Sequence, residues 1–390
     1  MHTNFQKQII DNATINMINP DICWLVDGEP VYNRTRAVSM IQHGHLVEFN
    51  LYNHQWQQAD WSRPVDTPLT GLYMQHAIAL RQRYANVKIA YSGGVDSHTI
   101  LKTFLRAKIE PDEIYYFTFL HQQSVGSKLS TNYEVERGII DHVSTLQNWF
   151  PNTKITMIDF DIDMLELLRS MPVDQFPCLT FCGGMRTMSN ITVMSLLGHT
   201  DDDTVVLTGC DKPRLDYING QWYAYILDGG SHDVWGKNVQ GFYLGADPTI
   251  HIAQCHQLKN YFQKIGLNNR ADILKIQSSR NFNIRQQIND IIARDRPFDN
   301  ITVVGKHTTW KSQDRFARSE HAILKNYLLD RVMRQTEQGR RISQSWTQMK
   351  TEFERITGLP HTYDVYGKFR NLDTGQTESS QQVIGKIGRD

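Results

Sequence analysis

The sequence predicts an α/β protein built on a parallel sheet with helices on both faces. Four short runs rich in β-branched and aromatic residues follow one another along the chain, at 87–91, 114–119, 155–160 and 204–208. Helical patterns occupy the stretches between them, at 97–107, 132–149 and 186–198. Strands that alternate with helices form parallel sheets with right-handed crossovers, and such sheets bind ligands at the carboxyl ends of their strands.

The residues before this sheet are predicted to form a small β-rich segment over 1–70. Asp27-Gly28 separates two short apolar runs, which is the signal of a β-hairpin. Residues 45–52 alternate between apolar and polar side chains, as expected for a half-buried strand. A helix over 72–84 then leads into the domain at 71–248 that carries the sheet.

The region from 249 to 370 is predicted to be mainly helical. One strand-like run interrupts it at 301–304. The predicted helices cover 249–265, 270–279, 283–294, 314–336 and 341–356. The polar residues of 371–390 are expected to form a flexible tail.

Composition excludes several classes of protein. The 390 residues are 40% hydrophobic and 21% charged, and no run approaches the ~20 apolar residues of a membrane span. The N-terminus lacks the basic-then-apolar layout of a secretory signal, and five scattered cysteines do not suggest a disulfide framework. We therefore expect a cytoplasmic protein without a membrane partner.

A glycine turn joins the first strand of the predicted sheet to the helix after it. Its sequence, the SGGVDS motif, is Ser92-Gly93-Gly94-Val95-Asp96-Ser97. Two adjacent glycines let the backbone approach an anion without a Cβ in the way, and a helix N-terminus attracts negative charge. The two serine hydroxyls are candidate donors. An aspartate fits beside a phosphate when a divalent cation lies between them. The motif therefore predicts that this turn binds a nucleotide together with Mg²⁺.

Two other phosphate loops are absent, because the sequence has no G-x-x-x-x-G-K-[ST] and no G-x-G-x-x-G after a strand. The motif instead resembles the SGGxDS signature of the PP-loop ATP pyrophosphatases, an adenine nucleotide alpha hydrolase-like superfamily that includes the asparagine synthetases. The resemblance covers roughly residues 70–220. It implies a Rossmann-like, HUP-type sheet. It also implies an enzyme that cleaves ATP between the α and β phosphates, adenylates a substrate oxygen and releases pyrophosphate onto the loop.

A second motif follows the fourth predicted strand. Gly209 and Asp211 stand where asparagine synthetases carry a glycine-and-acid segment for metal and adenylate contacts, although the fuller run of that family is missing here. We expect Asp211 to share Mg²⁺ with Asp96. Lys212 and Arg214 are expected to stabilise developing negative charge. The alternative is a turn that ends the strand and exposes its charges.

Two further contacts follow from the resemblance. Members of the superfamily hold the adenine with the backbone of the second strand, which indicates Phe117. Lys306, after the run at 301–304, resembles a late lysine that contacts phosphate. Between residues 259 and 350, eighteen Lys and Arg stand against eight Asp and Glu. This excess either neutralises triphosphate or binds nucleic acid.

Three cysteines leave a second reading open. Cys178 and Cys182 form a C-x₃-C pair, and Cys210 lies in the second motif. Some PP-loop enzymes use paired cysteines to transfer sulfur, whereas metal and redox pairs usually have C-x₂-C spacing. These residues either serve a nucleobase-modifying enzyme or are inert and buried.

The sequence thus predicts an ATP-dependent, AMP-forming ligase similar to the asparagine synthetases. Position 2 is His2, and 70 residues are too few for a glutaminase domain with an N-terminal cysteine. Nitrogen would therefore come from ammonia, an amine or a partner, and the acceptor would be a small molecule. The alternatives are a PP-loop enzyme that modifies tRNA or DNA bases, and a non-catalytic module that binds adenine nucleotides. The oligomeric state is not predicted.

Overall fold

The computed structural model describes residues 21–31, 40, 44–91, 93–118, 142–159, 203–209, 213–226, 239–277, 282–292, 368–379, 382–383 and 386. Within these ranges it contains twelve strands and seven helices. The strands are β1 (Ile22–Val26), β2 (Glu29–Val31), β3 (Val47–Leu51), β4 (Asn86–Ala90), β5 (Glu113–Thr118), β6 (Lys154–Asp159), β7 (Thr204–Thr208), β8 (Arg214–Ile218), β9 (Gln221–Tyr225), β10 (Val239–Gly241), β11 (Lys368–Asn371) and β12 (Thr377–Ser379). The helices are α1 (Asn53–Gln57), α2 (Leu69–Arg83), α3 (Val95–Ala107), α4 (Val143–Trp149), α5 (Thr249–Lys264), α6 (Arg270–Gln277) and α7 (Phe282–Ile292).

The protein is α/β, with a five-stranded, all-parallel sheet flanked by helices. The strand order is β10-β7-β4-β5-β6. All four predicted strands are confirmed, each within one residue of the expected bounds. The fifth strand, β10, was not predicted. Its three residues are too few to show a hydrophobic period.

The core of this sheet is apolar because both faces of its central strands are covered. Ile89 of β4 pairs with Ile114 of β5 and with Leu207 of β7, and all three side chains are fully buried. Parallel strands buried on both faces read as continuous apolar runs, which is why the sequence revealed them. Phe104 and Leu72 add side chains from α3 and α2 to the same core.

The N-terminal segment forms a three-stranded antiparallel sheet in the order β2-β1-β3. The predicted hairpin is confirmed, since Asp27 and Gly28 both have positive φ (51° and 89°), as a two-residue hairpin turn requires. Trp56 of α1 and Trp61 are fully buried beneath this sheet.

A third sheet, in the order β12-β11-β9-β8, was not predicted. Strand β11 spans the boundary between the region predicted to be mainly helical, which ends at 370, and the predicted flexible tail, which begins at 371, and β12 lies within that tail. That expectation is wrong for 371–379, because Asn371 pairs with Tyr223 of β9 and Leu372 is buried. Arg370 extends over the rings of Trp56 and Trp61, at 4.8 and 5.4 Å from their centroids. This contact joins the C-terminal strands to the N-terminal segment.

Helices α5, α6 and α7 match three of the predicted C-terminal helices. The helices expected at 186–198, 314–336 and 341–356 and the strand at 301–304 lie outside the described residues, as does most of the basic region. No helix in the described part of the chain has the length and apolar character needed to cross a bilayer.

Candidate functional site

The first element of the site is the turn between β4 and α3. Gly93 has φ 72°, a left-handed conformation that glycine adopts without a Cβ penalty. Gly94 is extended (φ −83°, ψ 165°) and caps the helix, which begins at Val95. Strand, glycine turn and helix therefore follow one another as predicted. Ser92 lies outside the described residues.

Two hydrogen bonds to the carbonyl of Gly94 stabilise the first turn of α3. The backbone N–H of His98 donates to the carbonyl of Gly94 at 3.0 Å. The hydroxyl of the buried Ser97 donates to the same carbonyl at 3.2 Å. The serine hydroxyl is thus engaged within the turn, and the expectation that Ser97 donates to a phosphate stays a prediction.

Gly209 brings the second motif against the first. It directly follows β7, and a Cβ placed on it would lie 2.6 Å from the backbone nitrogen of Ser97 and 3.1 Å from the Cβ of Asp96. No side chain fits at that distance, so residue 209 must be glycine for β7 to end beside the start of α3. The structure therefore brings together Gly209 and Asp96.

The place where these residues meet is a topological switch point. Strands β4 and β7 are neighbours, yet the chain continues from β4 to β5 and β6 on one side of the sheet and reaches β10 on the other. In open α/β sheets, ligands bind outside the carboxyl ends of the strands at such a point. Residues 93–97 of the SGGVDS motif and Gly209 both lie there.

A hydrogen bond joins the residue directly before the SGGVDS motif to the residue directly after it. The hydroxyl of Tyr91 and Nδ1 of His98 are 3.1 Å apart and both side chains are buried. Burial raises the pKa of Tyr91, so its hydroxyl stays protonated. The His98 ring packs on Trp149 of α4 with a centroid distance of 5.7 Å, and Nζ of Lys102 lies 3.7 Å from the Trp149 centroid. The residues on either side of the motif are thus fixed to each other and to α4.

Tyr243 was not predicted as a site residue. Its hydroxyl donates to the backbone carbonyl of Asp96 at 2.8 Å, across 147 positions of sequence. It follows β10 closely and its side chain is buried. The signal in the sequence is Gly241-Phe242-Tyr243-Leu244, an aromatic run behind a glycine, which alone does not indicate its partner.

Asp96 has the chemistry of a magnesium ligand. It is half-buried in the first turn of α3, where its charge also suits the helix dipole. Mg²⁺ is commonly held by one or two carboxylates together with substrate phosphates and waters. No group of three His, Cys, Asp or Glu side chains among the described residues could hold a metal by itself. A single Asp96 fits a metal that arrives with a nucleotide.

The other predicted site residues are only partly described. Arg214 begins β8, and its Nη1 donates to the carbonyl of Gln277 at 2.7 Å, which anchors α6 to the third sheet. Phe117 lies in β5, at the carboxyl end of the strand beside β4. Outside the described residues lie Cys178, Cys182, Cys210, Asp211, Lys212 and Lys306.

The chain was compared with known proteins. No family model matches it. No curated protein matches it either.

Proposed function

We propose that the protein is an ATP-dependent, AMP-forming ligase on a Rossmann-like, HUP-type sheet. Its substrates would be ATP, a small acceptor with a carboxylate or carbonyl-type oxygen, and a nitrogen nucleophile. The observation that carries the proposal is the glycine turn of the SGGVDS motif at the switch point, with Gly209 of the second motif packed against it.

The turn supports binding of pyrophosphate for three physical reasons. Gly93 and Gly94 carry no side chains, so an anion can reach the backbone. The N-terminus of the thirteen-residue helix α3 adds the positive end of its dipole. Gly209 lets the end of β7 pack directly against Ser97 and Asp96, which brings the second motif to the same turn. Together these features favour an extended, highly charged phosphate group over a small neutral ligand.

In the proposed reaction, an acceptor oxygen attacks the α-phosphorus of ATP. The bond between this phosphorus and the oxygen that bridges the α and β phosphates then breaks. Pyrophosphate leaves against the turn, and the nitrogen nucleophile then displaces AMP from the adenylated acceptor. Bound Mg²⁺ would neutralise phosphate charge, held by Asp96 and, in the proposal, by Asp211. Lys306 and Lys212 are proposed to offset charge on the departing pyrophosphate. The protein's own contribution is positioning and charge stabilisation.

The test is turnover of ATP by the purified chain with Mg²⁺, scanned first against amino acids with ammonia and then against total tRNA. We expect AMP and pyrophosphate in equal amounts, and their loss in Asp96→Ala. Asp272→Ala is the matched control, because Asp272 is likewise the acid in the first turn of a helix but lies on α6. It should retain wild-type turnover.

Each other outcome has a defined meaning. Turnover that depends on tRNA would replace the ligase with a nucleobase-modifying enzyme. Binding of ATP without turnover would indicate the non-catalytic module. Wild-type turnover in Asp96→Ala would remove Asp96 from the site and contradict the proposal.

A further inference from the structure

Tyr243 contacts the SGGVDS motif from 147 positions further along the chain. Its hydroxyl donates to the carbonyl of Asp96 at 2.8 Å. The Tyr243 side chain is 1% exposed, so its hydroxyl is shielded from solvent and is not an adaptable surface contact. A hydrogen bond made in such surroundings fixes the backbone it reaches more firmly than one made in water.

Asp96 is approached from the ends of two neighbouring strands, β7 and β10, at the edge of the sheet where the switch point lies. Gly209, after β7, approaches the carbonyl carbon of Asp96 so closely that a Cβ there would stand 3.0 Å away. Tyr243, after β10, holds the oxygen of the same carbonyl. The backbone carbonyl of Asp96 is therefore approached at its carbon by Gly209 and bonded at its oxygen by Tyr243. These contacts fix the backbone from which the Asp96 carboxylate projects.

The Tyr243 ring is itself rigidly supported. Tyr73 and Phe242 pack edge-on against it, with centroid distances of 5.4 and 5.3 Å. The Tyr73 hydroxyl donates to the carbonyl of Ile292 at 2.5 Å and accepts from Nε2 of Gln254 at 2.8 Å. The rings of Tyr73 and Phe242 thus support the Tyr243 ring, whereas the Tyr73 hydroxyl joins α2 to α5 and α7.

We propose that Tyr243 is a positioning residue of the ligase reaction, acting through the backbone of Asp96 to orient the carboxylate that meets the nucleotide-bound divalent cation. This inference rests on the proposed function. It goes beyond it by assigning a role to a residue outside both motifs. Removing the hydroxyl alone should leave the fold intact and let Asp96 shift.

The test compares Tyr243→Phe with Tyr73→Phe. Both lose one buried hydroxyl from the same aromatic set, but only the first contacts Asp96. The first measurement is the affinity of Mn²⁺ for the complex of the protein with α,β-methylene-ATP. It is obtained from the electron paramagnetic resonance signal of free Mn²⁺. We expect Tyr243→Phe to weaken Mn²⁺ binding about tenfold and Tyr73→Phe to change it less than about twofold, since a small misplacement of a positioned group has effects of this order or larger. Melting temperatures of the two variants should fall by similar amounts.

The second measurement is the rate of AMP formation. Tyr243→Phe should lower kcat about tenfold or more while the KM for ATP stays nearly constant. In an Asp96→Asn background, Tyr243→Phe should have no further effect on Mn²⁺ binding, because the carboxylate that Tyr243 positions is gone.

Equal loss of Mn²⁺ affinity in both tyrosine variants would overturn the inference, because it would reveal a general packing effect. Unchanged binding in Tyr243→Phe would overturn it too. If wild-type protein binds neither α,β-methylene-ATP nor Mn²⁺ with it, the proposed function fails and the role of Tyr243 fails with it. That result is distinct, because it appears before any variant is made.

Discussion

The hydroxyl of Tyr91 and Nδ1 of His98 share a 3.1 Å hydrogen bond that joins the residue directly before the SGGVDS motif to the residue directly after it. The bond closes the two ends of the turn on each other inside the core, where neither ring is exposed by more than 1%. The shape of the turn is therefore set by the protein before any ligand binds. Preorganisation of this kind reduces the ordering that binding must drive.

Tyr91→Phe tests this relationship. The variant keeps the buried ring and removes the hydroxyl, so the free energy of unfolding should fall by about 1 kcal/mol, with a further penalty where His98 is left without this contact. ATP affinity should fall as well, because the turn loses its closure. Tyr261→Phe is the control: its hydroxyl donates to Gln287 at 2.6 Å on α7, and its loss should leave ATP affinity unchanged. Equal ATP affinity in Tyr91→Phe and wild type would contradict this prediction, because it would mean that the hydrogen bond has no part in ATP binding.

Gly209→Ala should displace the start of α3 from the end of β7. Its Cβ would be 2.6 Å from the backbone nitrogen of Ser97, which cannot rotate away as a side chain can. We expect a loss of about 1–3 kcal/mol in the free energy of unfolding and a fall in ATP affinity of about tenfold, equivalent to ~1.4 kcal/mol. Calorimetric titration and urea denaturation measure the two quantities.

The control for that substitution is Gly245→Ala. Gly245 is buried and Gly209 is half-buried, but the nearest atom to the Cβ at position 245 would be Nε2 of Gln240 at 3.4 Å, an ordinary contact with a side chain. It should retain wild-type ATP affinity. If Gly209→Ala binds ATP as well as Gly245→Ala does, the second motif has no part in the site.

Gly93→Ala places a Cβ on a residue with φ 72°. The left-handed conformation is unfavourable for alanine by about 1–2 kcal/mol. Gly220, in the turn between β8 and β9, has φ 81° with nothing within 4 Å of its Cβ position, so Gly220→Ala carries the same strain far along the chain from the motif. Urea denaturation should give similar losses for both, while titration with ATP and Mg²⁺ should detect weaker binding in Gly93→Ala alone. Equal ATP affinities would argue against the turn as the phosphate site.

His251 makes the stability of the protein sensitive to acid. Burial lowers the pKa of this histidine to about 3, with a smaller contribution from the nearby charge of Arg370. The unfolded chain takes up a proton near pH 6.5 and the folded chain does not, so stability falls as the pH drops from 6.5 towards 3. Between pH 7 and pH 5 this amounts to ~2 kcal/mol.

His251→Phe should reduce that slope while keeping an aromatic ring against Trp56 and Trp61. Urea denaturation of both proteins between pH 7 and pH 5 measures it. His76, whose pKa burial lowers to about 4, contributes a similar slope and should leave part of it in the variant. Identical slopes in wild type and His251→Phe would mean that His251 is not the source.

The central sheet could be predicted from sequence because its strands are buried on both faces. Val205, Val206 and Leu207 form an unbroken apolar run that only a buried strand or a buried helix explains. The hairpin β8–β9 was missed although its signal is present: Asn219 and Gly220, both with positive φ, lie between two runs rich in tyrosine and tryptophan.

Strand β11 shows where local patterns fail. Lys368, Arg370 and Asn371 are polar, and the strand spans the boundary between the region predicted to be mainly helical (249–370) and the predicted tail (371–390). In the fold, Lys368 forms an ion pair with Glu48 at 2.9 Å, and Arg370 covers the rings of two tryptophans. These partners allow a strand of polar residues to be buried. Tertiary contacts of this kind leave no period in the sequence.

The candidate site likewise has contacts that the sequence predicts and contacts that it does not predict. The meeting of Gly209 with Asp96 follows from the rule that parallel strands end at one edge of a sheet, so the two motifs were expected together. The contacts of Tyr243 and Tyr91 could not be predicted, because each joins a hydroxyl to a partner chosen by three-dimensional packing. The motif residues predict the chemistry, and the aromatic residues around them fix their positions.

The proposed function requires that this turn bind the pyrophosphate portion of ATP while the bond between the α and β phosphates is broken. The direct measurement uses ATP labelled in the γ-phosphate, incubated with the wild-type chain, Mg²⁺ and the acceptor that stimulates turnover. We expect the label to be released as pyrophosphate, together with unlabelled AMP. Label released as orthophosphate together with ADP would contradict it.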